Sequence, residues 1–244
     1  MTGDWRRHGR HARCTERLAT GDERDTDWKN VYVHVVTWPG GDGYEVIAND
    51  FERAREIFGQ CCIRIALGAV IEVPDAVGKE VLGEDLVLDV PDSRKRFATA
   101  KELSPETGIA THNKGPITAH YVYDIDLKTR EDRTEPGGLA FIEKDVGQSN
   151  LWANLAIESS GLALPTGYDR LSKREKEKVK LRRKHDRTLA HEIGHILANS
   201  GHDKKLGRLM EAGAPGDEIK PEGCKQMRTT MGKRNPFFTP WSGE

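Results

Sequence analysis

The spacing of apolar residues changes several times along this chain, and each change marks an element. Val31, Val33, Val35 and Val36 form a β-branched run with Tyr32 and His34 between them, so residues 31–36 are expected to be a buried strand. After the loop Pro39-Gly40-Gly41-Asp42-Gly43, the apolar positions Ile47, Phe51, Ala54 and Phe58 recur every three to four residues. That period predicts an amphipathic helix over 46–58, ended near Gly59. Residues 63–67 and 69–73 read as one bent strand or two, closed by Pro74. The pattern then weakens. Residues 75–115 are expected to be an insertion between core strands, with a short strand in 81–90, a helix over 92–103 capped by Asp92 or Ser93, and a loop after it. Alternation resumes at 117–125, a third strand. A glycine-led short strand follows at 136–142, where Gly137 and Gly138 let another backbone come close. Residues 151–157 make a fifth strand and 162–168 a loop. Ser172-x-x-Glu175 resembles a capping box, and it predicts a long helix running through a densely charged face into residues 188–198. There Leu189, Ile193, Ile196 and Leu197 supply a core-facing stripe.

That last stretch also carries the chemistry. His191 and His195 are four residues apart, hence on one helix face, and both can aim an imidazole at one metal ion. Glu192 beside the first can reach a water on that metal. Two ligands, a base and an open position are the parts of a zinc peptidase site. A third ligand has to lie beyond the helix, because a continued helix would carry the next side chain away. Asn199-Ser200-Gly201 supplies the turn and His202 follows it. Downstream, Leu209-Met210 leads into a Gly/Pro-rich turn, and Pro221 suits the first turn of a final helix. His34 and His120 sit within strands and are read as structural.

Composition limits the alternatives. A chain of 244 residues with 36% apolar and 32% charged positions can bury a substantial core under a charged surface. A net charge of -1 gives no overall attraction to nucleic acid or anionic membrane. No stretch reaches the roughly 18 apolar residues of a membrane span. Residues 1–27 read as a polar tail without the apolar core of a secretory signal. The expectation is therefore a chain cytoplasmic as synthesised, with export by a non-Sec route as the alternative. The four cysteines, Cys14, Cys61, Cys62 and Cys224, are too few for a disulfide scaffold and are expected to be reduced or structural. A Cys14 thiolate closing the open metal position is the sharper alternative. The basic run 173–187 admits a nucleic-acid reading through Arg182 and Arg183. No aromatic residue interleaves it for stacking, so a solvated helix face is preferred.

With these residues together, the chain resembles the metzincin-type zinc metallopeptidases, which carry His-Glu-x-x-His-x-x-Gly-x-x-His followed by a methionine turn. His191, Glu192 and His195 match position for position, and Met210 resembles the methionine of that turn. Ala198 stands at the family's glycine and Gly201 at its third histidine, so His202 arrives one residue late. A one-residue expansion of the turn, with Asn199 or Gly201 in the glycine's role, restores the pattern. The resemblance implies an α+β zincin-like catalytic domain. A mixed twisted sheet of about five strands would pack on the active-site helix, as an N-terminal part over 28–198 with a small C-terminal part over 199–244. It implies Zn2+ held by His191, His195 and His202, Glu192 as general base, and a protein or peptide substrate. It also implies that Gly138, Leu139, Ala140 and Phe141 form the edge strand that binds the substrate by β-augmentation. Two other readings stand beside this one. One is a gluzincin-like site with Glu211 or Glu218 as third ligand. The other is a zinc-containing binding or regulatory module without turnover, against which the intact Glu192 argues. Asp203, next to His202, is a candidate for orienting that ligand.

Overall fold

The computed structural model describes residues 28–89, 117–126, 137–142, 153–158, 172–174, 187–211 and 216–233. Its centre is a five-stranded sheet in the order β2-β1-β4-β7-β6. The strands are β1 (Lys29–Thr37), β2 (Ile63–Glu72), β4 (Ile117–Val122), β6 (Gly138–Ala140) and β7 (Asn154–Glu158). β1 pairs in parallel with β2 and β4, and β4 with β7, while β6 runs antiparallel to β7 at the sheet's edge. The expected mixed five-stranded α+β architecture is what the described residues form, with four α-helices: α1 (Tyr44–Phe58), α2 (Asp75–Leu82), α3 (Thr188–Ala198) and α4 (Pro221–Lys233).

Parallel pairing explains the valine run. A strand with neighbours on both sides and both faces covered needs apolar or hydrogen-bonded residues throughout. Val31, Val33, Val35 and Val36 are fully buried. Alternation sends Val33, Ala119, Tyr121, Leu155 and Ile157 to one face. There α1 contributes Ile47, Phe51, Ala54, Ile57 and Phe58, and α3 contributes Leu189, Ile193, Ile196 and Leu197, to a single core. Tyr121 crosses from sheet to helix and donates its hydroxyl to Asp50 of α1 at 2.9 Å. The opposite face carries a polar row. Trp38 Nε1 donates to His120 Nδ1 at 3.2 Å, so the proton of His120 sits on Nε2, which faces Asn154 Oδ1 at 3.2 Å. Burial holds His120 neutral and pushes its pKa down to about 4, with the Asn154 hydrogen bond opposing the shift in part. On β1, His34 Nδ1 accepts from the Ala69 amide at 2.8 Å, where the β1–β2 register shifts. Both histidines therefore have structural partners.

Several expectations need correction. Ile63–Glu72 is a single strand, which settles the choice left open between one and two. The third strand ends at Val122, and Asp124–Asp126 (β5) leaves the main sheet to pair in parallel with β3 (Val87–Asp89). The helix α2 lies inside the expected insertion, ahead of the strand expected in 81–90, where no helix was expected. It is only eight residues long, and Gly78 in its middle weakens its pattern. A Cβ on Gly78 would come within 2.5 Å of the Pro39 ring, so this glycine serves close packing against the loop after β1. The expected continuity of the charged helix into 188–198 is broken at Arg187. Arg187 has φ -119° and ψ 3°, outside helical values, and α3 starts afresh at Thr188. Residues 92–103, 162–168 and most of the basic run, including Arg182 and Arg183, lie outside the described residues, as does Cys14.

The cysteines are also corrected. Cys61 and Cys224 form a disulfide across 163 positions, and Cys62 is disulfide-bonded as well. The first bridge ties the 3-10 turn Gly59–Cys61, at the end of α1, to α4. Arg228 of α4 reinforces the junction by donating to the Cys61 and Cys62 carbonyls at 3.3 and 3.4 Å. Ahead of α4, Asp217 receives Arg53 of α1 and Arg187 before α3, and its backbone carbonyl accepts from Gln60 at 2.6 Å. Burial alone would raise the Asp217 pKa, but the two guanidiniums outweigh it and hold the carboxyl below the usual range.

Candidate metal centre

α3 begins as the neutral part of an amphipathic pattern and ends as a ligand platform. All residues from Leu189 to Ala198 are buried, including His191, Glu192 and His195. Burying three polar side chains on one helix costs free energy unless each is satisfied or bound to an ion. The two helix histidines are oriented by backbone carbonyls. His191 Nδ1 lies 2.5 Å from Leu209 O, and His195 Nδ1 lies 2.7 Å from Ser200 O. A carbonyl can only accept, so Nδ1 carries the proton in each ring and Nε2 presents a lone pair. Burial lowers the pKa of His191, offset in part by the Leu209 carbonyl and assisted by His202, and so keeps that lone pair free of protons.

The three Nε2 atoms converge. His191 Nε2 stands 3.0 Å from His195 Nε2 and 3.2 Å from His202 Nε2, and the ligating atoms of the three residues all lie within 4.8 Å of one another. Two nitrogens held about 2.0–2.1 Å from one zinc ion at the tetrahedral angle would be about 3.3 Å apart. The observed separations fit that spacing. Two Nε2 lone pairs facing each other at 3.0 Å repel unless a cation lies between them, so the donor set fits a metal such as Zn2+.

The turn that delivers His202 is built at Asn199, not Gly201. Asn199 adopts the left-handed conformation, φ 47° and ψ 47°, and ends α3 with its amide bonded to the Ile196 carbonyl. Gly201 has no positive φ. The left-handed residue thus comes one position later than Ala198, and the expansion of the turn falls at the helix end. Ser200 N–H bonds back to the His195 carbonyl, so the turn and the ligand it follows brace each other. Asp203 does not take the orienting role considered for it. Its Oδ1 accepts from the Lys205 amide and its N–H donates to the Met210 carbonyl.

Beneath the ligands lies a 3-10 turn, Arg208–Met210. Gly207 before it has φ 123°, and a Cβ there would meet the Glu218 carbonyl at 2.5 Å, so both conformation and space demand glycine. Leu209 N–H donates to that same carbonyl, while Leu209 O faces His191. Met210 is fully buried with its Sδ against Gly194, where a Cβ would approach to 2.8 Å. The methionine therefore packs under the helix between the two histidine positions. Glu211 and Glu218 stay outside the group of converging ligand atoms found among the described residues.

β6 borders the other side of the helix. Gly138, Leu139 and Ala140 pair with Ile157, Ala156 and Leu155, and Phe141 N–H continues the pairing to Asn154 O. The Gly137 carbonyl also bonds inward, to the Glu158 amide. By antiparallel alternation the backbone groups of Gly138 and Ala140 point away from β7. The glycine-led strand lies at the sheet's edge and is also close-packed against the ligand helix. It admits side chains of α3: a Cβ on Gly138 would lie 2.7 Å from Thr188 Cγ2 and 2.8 Å from Glu192 Cγ. Sequence reasoning did not identify the Leu209 and Ser200 carbonyls or the Gly138–Glu192 contact. Backbone carbonyls leave no side-chain signal; the glycine was visible, but its neighbour was not.

No protein-family model and no curated protein matches this chain. Among solved structures it is similar to archaemetzincin from Methanopyrus kandleri, at 13% identity and a TM-score of 0.43, over 83% of this chain and 96% of that one. It is also similar to metalloproteinase-II from Bacteroides fragilis, at 12% identity and a TM-score of 0.46, over 83% of this chain and 53% of that one, about half its length.

Proposed function

We propose that this protein is a zinc-dependent endopeptidase whose metal is held by His191, His195 and His202. The observation that carries the reading is the convergence of three imidazole Nε2 atoms, two of them fixed as unprotonated donors by backbone carbonyls, beside the buried carboxylate of Glu192. Zinc in such a site lowers the pKa of a coordinated water and polarises a substrate carbonyl. Glu192 accepts the proton of the attacking water and returns it to the departing amine. The outward backbone groups of Gly138 and Ala140 hold an extended peptide as an added strand, with Leu139 and Phe141 securing β6 to the sheet. Met210 supports the ligand helix from below. The substrate class is protein or peptide. Among the described residues no helix is long and apolar enough to cross a membrane. The disulfides favour an oxidising working environment.

The test is metal analysis together with digestion of a mixed peptide library. The parent is expected to hold one zinc per chain and to cleave internal bonds. Glu192→Ala should hold the same zinc and cleave at least about a hundredfold more slowly. Bound zinc without cleavage in the parent would replace this reading with a non-catalytic zinc module. Full zinc and full activity in His202→Ala would remove His202 from the ligand set.

A further inference from the structure

We infer that Gly138 is a positioning residue for Glu192: the strand offered to substrate also fixes where the base can point. The inference rests on the proposed role of Glu192 as general base.

Glycine at 138 is not required by the backbone. The positive-φ glycines among the described residues are Gly40, Gly83 and Gly207, so any residue could adopt the backbone of Gly138. What excludes a side chain is space. An added Cβ would stand 2.7 Å from Thr188 Cγ2, 2.8 Å from Glu192 Cγ and 3.0 Å from Glu192 Oε1. Favourable carbon–carbon contacts lie near 3.5–4.0 Å. Thr188 Cγ2 is the end of a short, stiff side chain, and Glu192 Cγ is part of the stem, so neither can simply swing clear. Thr188 and Glu192 are four residues apart on one face of α3 and close on Gly138 together. Gly137, by contrast, would place its Cβ 3.3 Å from Thr188 Oγ1, a contact that a small shift relieves.

A methyl group at 138 therefore has two outcomes. Either Glu192 rotates away from its present position, or β6 withdraws from α3. Both separate the base from a peptide lying along β6, and misplacement of a catalytic group by about 1 Å can cost roughly a hundredfold in rate. Neither touches the Leu209 and Ser200 carbonyls that orient His191 and His195.

The experiment is a double-mutant cycle on the full zinc-loaded chain. Gly138→Ala is expected to retain one zinc per chain, lose at least about tenfold in kcat and change KM by less than about twofold. A thermal cycle gives a readout independent of turnover. Gly138→Ala should lower Tm in the parent and lower it by less than half as much in a Glu192→Ala background. Should Gly138→Ala fail to fold alone, the same comparison is made with Thr188→Ala present, which clears the second contact. Equal Tm losses in the two Glu192 backgrounds, or parental kcat in Gly138→Ala, would overturn the inference. Absence of peptide cleavage by the parent would overturn the proposed function instead, leaving the thermal cycle to decide the contact.

Discussion

His120 shows how one buried side chain sets a condition on the whole chain. Its folded pKa is about 4, against about 6.5 in the unfolded chain. The stabilisation is present above pH 6.5, where both forms are neutral. As pH falls from 6.5 toward 4 the unfolded chain takes up a proton that the folded one refuses, so stability is lost across that window. The expected loss is on the order of 2–3 kcal/mol by pH 4–5. Denaturant midpoints at pH 7.5 and 5 would show it. The difference between parent and His120→Gln isolates this residue from the metal-site histidines, and an unchanged pH slope in the variant would contradict the assignment. His34, also shifted downward by burial, adds to the slope in the same direction. Gly194 makes a second prediction at this scale. Gly194→Ala drives a methyl group into Met210 Sδ and is expected to cost about 1–3 kcal/mol, read from the same unfolding curves. The chemistry-bearing residues were legible in sequence because a spacing of four fixes a common helix face. Legibility ended where orientation is supplied by the carbonyls of Leu209 and Ser200, since any residue type carries one.

At the scale of elements, β1, α1 and α3 follow directly from periodicity because each buries a full apolar stripe. α2 was hidden because eight residues interrupted by Gly78 carry too few repeats. The break between β4 and β5 was hidden because Tyr123 leaves the apolar alternation intact while the chain changes sheets. The exit of α3 was legible as a turn, but which residue makes it depended on a backbone angle. Asn199 tolerates the left-handed region better than other non-glycine residues. Asn199→Gly should therefore be nearly neutral for zinc retention. Asn199→Val should lower zinc affinity at least about tenfold, because a β-branched residue resists that conformation and His202 rides on the turn. Competition with a chromogenic chelator measures both. Gln226 of α4 adds a brace by donating to the Ala198 carbonyl at 2.7 Å, so the last helix closes the end of the ligand helix.

Across the whole molecule, the residues after α3 are fastened back onto the N-terminal half by Asp217, Arg228 and the Cys61–Cys224 bridge. None of this was readable from the sequence, because the partners are far apart and four cysteines do not announce their pairing. Replacing both cysteines with serine is expected to lower stability by about 2–4 kcal/mol. It should also weaken zinc binding, because the 218–220 segment just ahead of α4 holds Leu209 and, through it, His191. Calorimetry and chelator competition on the variant would check the two effects separately.

The 163-residue reach of that bridge also has a consequence in time. The three parallel strand pairings and the meeting of Cys61 with α4 all join distant parts of the chain, and such non-local contacts form slowly. The ligand pocket, which depends on them, is expected to mature late. In refolding with zinc and a thiol oxidant present, thiol trapping should show Cys61–Cys224 closing no later than zinc becomes resistant to chelator. With a dithiol reductant maintained throughout, zinc should remain exchangeable even after the sheet has formed.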